Sequence, residues 1–226
     1  MSWFRSFWQS ALGKKTVMAV SGLVLFGFVF VHMVGNLKLY QGPEKLNGYA
    51  EWLREVGSPV LPHSGLLWIA RIGLLVAVAL HIAAATQLTL ENTRARPKRY
   101  RRLDNIQSSY ASRTMRWGGV IIALYVVYHL AHLTWGSAHP EFVPGDVYRN
   151  VVSGFQVWWV SALYIVAQLA LGLHLYHGLW SMFQTLGWWE SNTNRDWRRR
   201  FAQSFALIIT IGNLSFPVAV LTGLVR

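Results

Sequence analysis

The chain has 226 residues, of which 53% are hydrophobic and only 13% charged, and it carries a formal net charge of +12. That balance is too apolar for a soluble domain and does not suit a disordered or nucleic-acid-binding tail. Cysteine is absent, which excludes c-type haem attachment, cysteine-ligated iron–sulfur clusters, thiolate zinc sites and disulfides, and leaves histidine as the soft ligand.

Trp3, Phe4, Phe7, Trp8 and Leu12 recur at helical spacing beside Arg5, the pattern of a short helix lying in a membrane interface with its aromatics towards lipid. Twenty-two uncharged residues then separate Lys15 from Lys38, and a helix needs about 20 to cross a hydrocarbon core. This run is longer than a signal-peptide core and leads into Asn36, Leu37 and Lys38 with no small-residue cleavage site, so it is expected to remain as a first span over 16–40. Pro43, Pro59 and Pro62 break the loop that follows. Nineteen uncharged residues between Arg71 and Glu91 place a second span over 66–92, and the 24 between Arg116 and Glu141 a third over 114–136. Pro140, Pro144 and Gly145 break the next loop. The 40 uncharged residues between Arg149 and Glu190 hold a fourth span, 157–187, and the 25 between Arg200 and Arg226 a fifth, 201–224. Trp52, Trp68, Trp135, Trp158, Trp159, Trp188 and Trp189 suit the two interfacial belts. The expected fold is all-α: one membrane domain over 1–226 made of five transmembrane helices and the short interfacial helix, with no soluble domain.

Sorting the basic residues by loop puts 15 of 21 with the N-terminus and the loops after the second and fourth spans, including Arg94, Arg96, Lys98, Arg99, Arg101 and Arg102. With the acids subtracted, that side carries +11 and the other +1. The positive-inside rule makes the first side cytoplasmic, with the N-terminus inside and the C-terminus outside. Such a face suits anionic lipid headgroups or an acidic protein partner; the basic run abuts a span and carries no reader motif for nucleic acid.

Ionisable groups at membrane depth are costly unless paired, solvated or bound to a ligand, so His32, His81, His129, His132, His174 and His177 need explaining, whereas His63 and His139 fall in outer loops. With spans alternating in direction, His32 and His129 sit six and seven residues from the outer ends of their helices, and His81 and His174 lie 15 and 17 residues past theirs. At about 1.5 Å per residue this makes two levels, one outer and one inner. Two histidines at one level, offered from different helices, are what the two axial faces of a six-coordinate haem iron require, so two levels imply two stacked haems. Gly22, Gly27, Gly35, Gly73, Gly118, Gly119 and Gly172 would let a macrocycle approach the helix backbones, though small residues serve helix packing equally. His129 with His132 and His174 with His177 are i, i+3 pairs, and spacing alone does not choose the ligand in either; the spare member is free for a propionate, a quinone carbonyl or a backbone carbonyl. Lys14, Lys15, Arg113, Arg116 and Arg71 are candidate propionate partners, and Ser21, Asn36, Trp135, Ser181 and Gln184 candidate polar contacts.

The segments Gly13 to Gly22, Val31 to Asn36, Gly42 to Ala50 and, most specifically, His174 to Gly187 (HLYHGLWSMFQTLG) together resemble the succinate dehydrogenase and fumarate reductase cytochrome b subunits of the single-polypeptide, five-helix, dihaem kind, the b558 type. The resemblance implies that one histidine from each of the first four spans ligates haem b, the first pairing with the third and the second with the fourth. Carried onto this chain, His32 and His129 would hold a distal haem, and His81 and His174 a proximal one. The family's spacing from Arg116 favours His129 over His132, and that before the His-Gly step favours His174 over His177. The implied activity is succinate:quinone oxidoreduction. A flavoprotein subunit oxidises succinate, an iron–sulfur subunit docks on the basic face, and this chain passes electrons to quinone, with menaquinone expected, in a bacterial cytoplasmic membrane. An acid of the first outer loop would exchange protons near the quinone, for which Glu51 and Glu55 are the candidates beside the plain reading of a solvated segment. Some dihaem fumarate reductases carry an acid on span four just before the ligand; here residues 169–173 are Leu, Ala, Leu, Gly and Leu, which favours succinate oxidation over the reverse. Related complexes form homotrimers, and nothing in these residues shows one. The competing readings are a fumarate reductase anchor, the cytochrome b anchor of another quinone-linked dehydrogenase, a haem-free proton transporter and a structural scaffold. The transporter reading predicts acids among the spans, and the segments between the flanking charges hold none.

Overall fold

The computed structural model describes residues 3–95, 110–187 and 192–226, and within them every regular element is helical. Helix α1, Trp3–Gln9, forms where a short interfacial helix is expected; Ser10 stops it and caps α2, Ala11–Asn36, its hydroxyl accepting the Gly13 N–H at 2.9 Å. A 3₁₀ turn, Leu37–Gln41, prolongs α2, and Gly42 (φ +91°) redirects the chain into α3, Pro43–Glu55, with proline at its first position. Then follow α4 (Gly65–Arg94), α5 (Tyr110–Leu133), α6 (Val147–Gln156), α7 (Trp158–Thr185) and α8 (Asn192–Leu221).

Among the described residues four helical segments are long and apolar enough to cross a membrane: Ala11–Gln41, Gly65–Arg94, Trp158–Thr185 and Trp197–Leu221. They carry the expected first, second, fourth and fifth spans. The expected third corresponds to α5, which has the length, 24 residues, but includes Arg116, His129 and His132 and so falls outside that class. Two helices were not foreseen. The polar α3 has no membrane signal, and α6 runs into α7 with only Val157 between them and no charge or proline to mark the break. The basic run from Arg96 to Arg102 and the belt pair Trp188 and Trp189 lie outside the described residues.

Helix α2 pairs with α4, α5 with α7, and α7 with α8, while α7 also touches α2. Lys14, buried at the start of α2, donates to Glu91 Oε1 at 2.5 Å and to the Gln9 carbonyl at 3.1 Å, which locks the first turn of α2 to the last turns of α4. The α7–α8 crossing is close because Gly172 leaves room for Thr210, and Gly212 leaves room for Met33 of α2. The main core gathers Met33, Leu39, Leu46, Val152, Phe155, Tyr164 and Ile209 towards the end that holds α3 and α6. Helix α4 stands apart from it: 6% of its most apolar stretch is buried, against 39% for α7.

Asn47 ties the two long loops at that end. Its Nδ2 donates to Asp146 Oδ1 at 2.9 Å and its Oδ1 accepts the Tyr148 N–H at 3.0 Å, while Asp146 caps α6 by accepting the Arg149 N–H at 3.1 Å. These donors, Asn47 first and then the Arg149 N–H, hold the Asp146 carboxyl below the ordinary carboxylate range. The contribution of a lowered carboxyl is fully present above its unfolded value of about 3.9 and is lost as pH falls through the lower folded one. Protection of residues 141–150, taken relative to their intrinsic exchange rates, is therefore expected to stay flat from pH 8 to 5 and to fall only below about pH 4. In Asn47→Ala, residues 141–150 are expected to exchange faster across the whole range; an unchanged profile would show that the tie carries no stability.

A candidate dihaem centre between four helices

Of the six histidines expected at membrane depth, four form two facing pairs between helices, and His132 and His177 belong to neither pair. His32 of α2 and His129 of α5 face each other with ring centroids 6.0 Å apart and planes at 89°. His81 of α4 and His174 of α7 do the same at 6.2 Å and 64°. Two imidazoles bound end-on to opposite faces of one metal, with metal–nitrogen bonds of about 2 Å, hold their centroids about 6 Å apart. Both pairs bridge helices that are not sequence neighbours, and ten residues of α7, about 15 Å, separate Tyr164, which adjoins His129, from His174. These are two layers, paired first with third and second with fourth.

The hydrogen bonds of His81 fix its tautomer. Its Nδ1 lies 3.1 Å from the Met18 carbonyl, which only accepts, so Nδ1 carries the proton and Nε2 is left as a bare ligand nitrogen. Ser21 Oγ, 3.3 Å from the same Nδ1, donates its own proton to the Val17 carbonyl at 2.7 Å. Opposite, His174 Nδ1 is buried with no hydrogen-bond partner among the described residues. The backbone makes room for both rings. A Cβ on Gly22 would lie 3.2 Å from His81 Cε1, and one on Gly119 would lie 3.9 Å from His174 Cε1. Of the other glycines singled out by sequence, Gly35 receives Tyr49 and Gly172 receives Thr210, which are packing roles, whereas Gly27 and Gly73 face open space. Gly73 lines a groove of about 700 Å³ between α2 and α4, with Ser21, Phe28 and Ala77 also in its wall; that volume is in the range of small-molecule and cofactor sites, roughly 300–1,000 Å³.

His132 stands apart from both pairs. It is 2% exposed, stacks on His139 at 4.8 Å and 16°, and fills the space left by Gly154, where a Cβ would lie 2.6 Å from its Cε1. His139, which the sequence left as a plain loop residue, is buried and satisfied: its Nε2 donates to the Asn150 carbonyl at 3.0 Å and its Nδ1 accepts the Glu141 N–H at 3.2 Å. The residue that sequence reasoning missed is Tyr164, whose hydroxyl meets both His129 Nδ1, at 3.3 Å, and His132 Nδ1, at 3.0 Å. Its only sequence signal is a hydroxyl ten residues before His174, which sits among aromatic neighbours that give no hint of it.

The remaining candidates disperse. Glu51 pairs with Arg54 at 2.8 Å and sits with Glu55 and His63 in an exposed cluster. Arg71 lies over the Trp68 ring at 5.0 Å, and Lys14 is engaged by Glu91. The Arg113 side chain lies outside the described residues.

The family model for the succinate dehydrogenase/fumarate reductase transmembrane subunit matches residues 94–214, just over half of the chain. The chain belongs to this family. The match includes His129, Tyr164 and His174 and stops short of His32 and His81, so the partners contributed by α2 and α4 rest on the geometry. No curated protein and no solved structure gives a significant match. Four apolar helices and family membership together make the chain a multi-pass membrane subunit.

Proposed function

We propose that this chain is a dihaem cytochrome b anchor of a succinate:quinone oxidoreductase, with α5 as the third of five spans, the N-terminus in the cytoplasm and the C-terminus outside. In this reading His81 and His174 hold a proximal haem b, and His32 and His129 a distal one. The observation that carries it is the pairing of four histidines from four helices into two facing couples at 6.0 and 6.2 Å. Bound there, each haem supplies a one-electron redox centre. The chain's residues do the rest. The Met18 carbonyl orients His81, Tyr164 engages His129, and the small residues Gly22 and Gly119 keep the helix backbones clear of the rings. The flavoprotein and iron–sulfur subunits supply the electrons, and docking of the iron–sulfur subunit gives the basic end, with its +11 charge excess, a purpose beyond topology. The acceptor is a membrane quinone, menaquinone in a bacterial cytoplasmic membrane. Glu51 and Glu55, exposed at the opposite end, are the candidate acids for proton exchange.

The test is a pyridine haemochrome assay with a reduced-minus-oxidised spectrum on the purified complex, succinate serving as reductant. Two haems b per chain are expected. A well-folded preparation without haem would overturn the reading and return the histidines to packing or proton transfer.

A further inference from the structure

Tyr164 joins α7 to two histidines on α5, and its hydrogens can be counted. The hydroxyl has one proton, so it donates once, and both of its neighbours are ring Nδ1 atoms. One ring must then accept at Nδ1 and the other donate from it. A ring that donates from Nδ1 has a bare Nε2 for a metal; a neutral ring that accepts at Nδ1 carries its proton on Nε2 and has none to offer. The arrangement therefore admits one ligand from the pair, and packing decides which. His132 is wedged between His139, stacked at 4.8 Å, and the side-chain-free Gly154, whereas the His129 ring faces His32. The shorter contact, 3.0 Å, is the one to His132, as expected if the tyrosine proton goes there.

We propose that Tyr164 is a positioning residue that sets the tautomers of this pair, so that His129 presents Nε2 to the distal site and His132 is held out of it. The proposal rests on the dihaem reading above. An acceptor on the Nδ1–H of a ligand imidazole raises its basicity and favours the oxidised metal, and losing such a partner typically costs about 10- to 100-fold in metal affinity. Tyr164 is 4% exposed and its ring packs edge-on against Phe155 and Tyr125, so its removal leaves no opening for water to replace the hydroxyl if the ring is kept.

The experiment is a redox titration of the two haems in the assembled complex, followed optically and by electron paramagnetic resonance, for wild type, Tyr164→Phe and Tyr125→Phe. The last keeps its ring and loses only a hydroxyl that bonds Gln168 at 3.0 Å. In Tyr164→Phe the distal midpoint is expected to rise, its low-spin signal to move, and its haem to pass to apomyoglobin about tenfold faster or more. The proximal signal should stay as in wild type, and Tyr125→Phe should leave both unmoved. Should Tyr164→Phe fail to assemble, His132→Leu, which removes the acceptor of the tyrosine proton, is expected to move the distal signal while two haems remain. A distal signal and midpoint identical to wild type in the variant that assembles would overturn the proposal with the dihaem reading intact. A wild-type complex without haem would overturn both.

Discussion

Replacing His174 by alanine is expected to leave one haem per chain and to cut succinate-driven quinone reduction by orders of magnitude, while the partner subunits still oxidise succinate with an artificial acceptor. The ring of His174 faces His81 at 6.2 Å from the opposite side of the layer nearer the basic end, and no other described histidine is paired with His81. His177 lies on the same helix, three residues on, but a change from His174 to His177 moves the donor about 4.5 Å along the axis and away from the partner ring. The Nδ1 of His81 remains on the Met18 carbonyl in such a variant, so its Nε2 is left aimed at one empty face of the site. His81→Ala should give the same spectrum by the opposite loss. The measurement is haem per polypeptide together with the two activities, succinate to quinone and succinate to artificial acceptor. A His174→Ala complex that keeps both haems spectrally intact would refute the assignment.

The second large effect separates the two histidines of α5. His129→Ala is expected to remove the distal haem and leave the proximal one. His132→Ala should retain two haems yet weaken the fold, because it empties a volume enclosed by His139, Tyr128, Tyr164 and Gly154. Emptying a packed ring site of this size costs about 3 kcal/mol, in the range measured for large-to-small core changes, and it also deprives the Tyr164 hydroxyl of its closer partner. Haem content and thermal unfolding of the two variants in detergent read these outcomes separately. Loss of haem from His132→Ala with His129→Ala still dihaem would reverse the assignment of ligand and spare.

The spans were legible in the sequence because charge is excluded from membrane depth, so the gaps between Lys15 and Lys38 or between Arg71 and Glu91 mark helices whatever their neighbours. The boundaries shifted where local chemistry overrides hydropathy: Ser10 starts α2 five residues before the expected edge, and α8 begins at Asn192 rather than 201. Depth counting sorted the histidines into an outer and an inner level, and the family resemblance supplied His129 and His174; the fold brings His32 to His129 and His81 to His174. The choice within an i, i+3 pair was not legible from spacing, and on α5 the contacts that distinguish the two rings come from Tyr164, 35 residues from His129, and from Gly154. Nor was the partnership of Asn47 with Asp146, almost a hundred residues apart, which no periodicity encodes. Glu51 and Glu55 drew attention by their position alone, and the structure places them with His63 in an exposed cluster, Glu51 paired with Arg54.

The near-bare α4 has a consequence for biogenesis. A helix that packs on α2, is fastened at one end through Glu91 and meets α7 with His81 is seated on its α7 side by whatever fills the space between them. Under the dihaem reading the prosthetic group is then mortar as well as wire. Cells starved of haem should insert all the spans yet fail to seat α4, and membrane proteases should find that helix first. Supply of haem would thereby govern how much of the complex accumulates, ahead of any control over its synthesis.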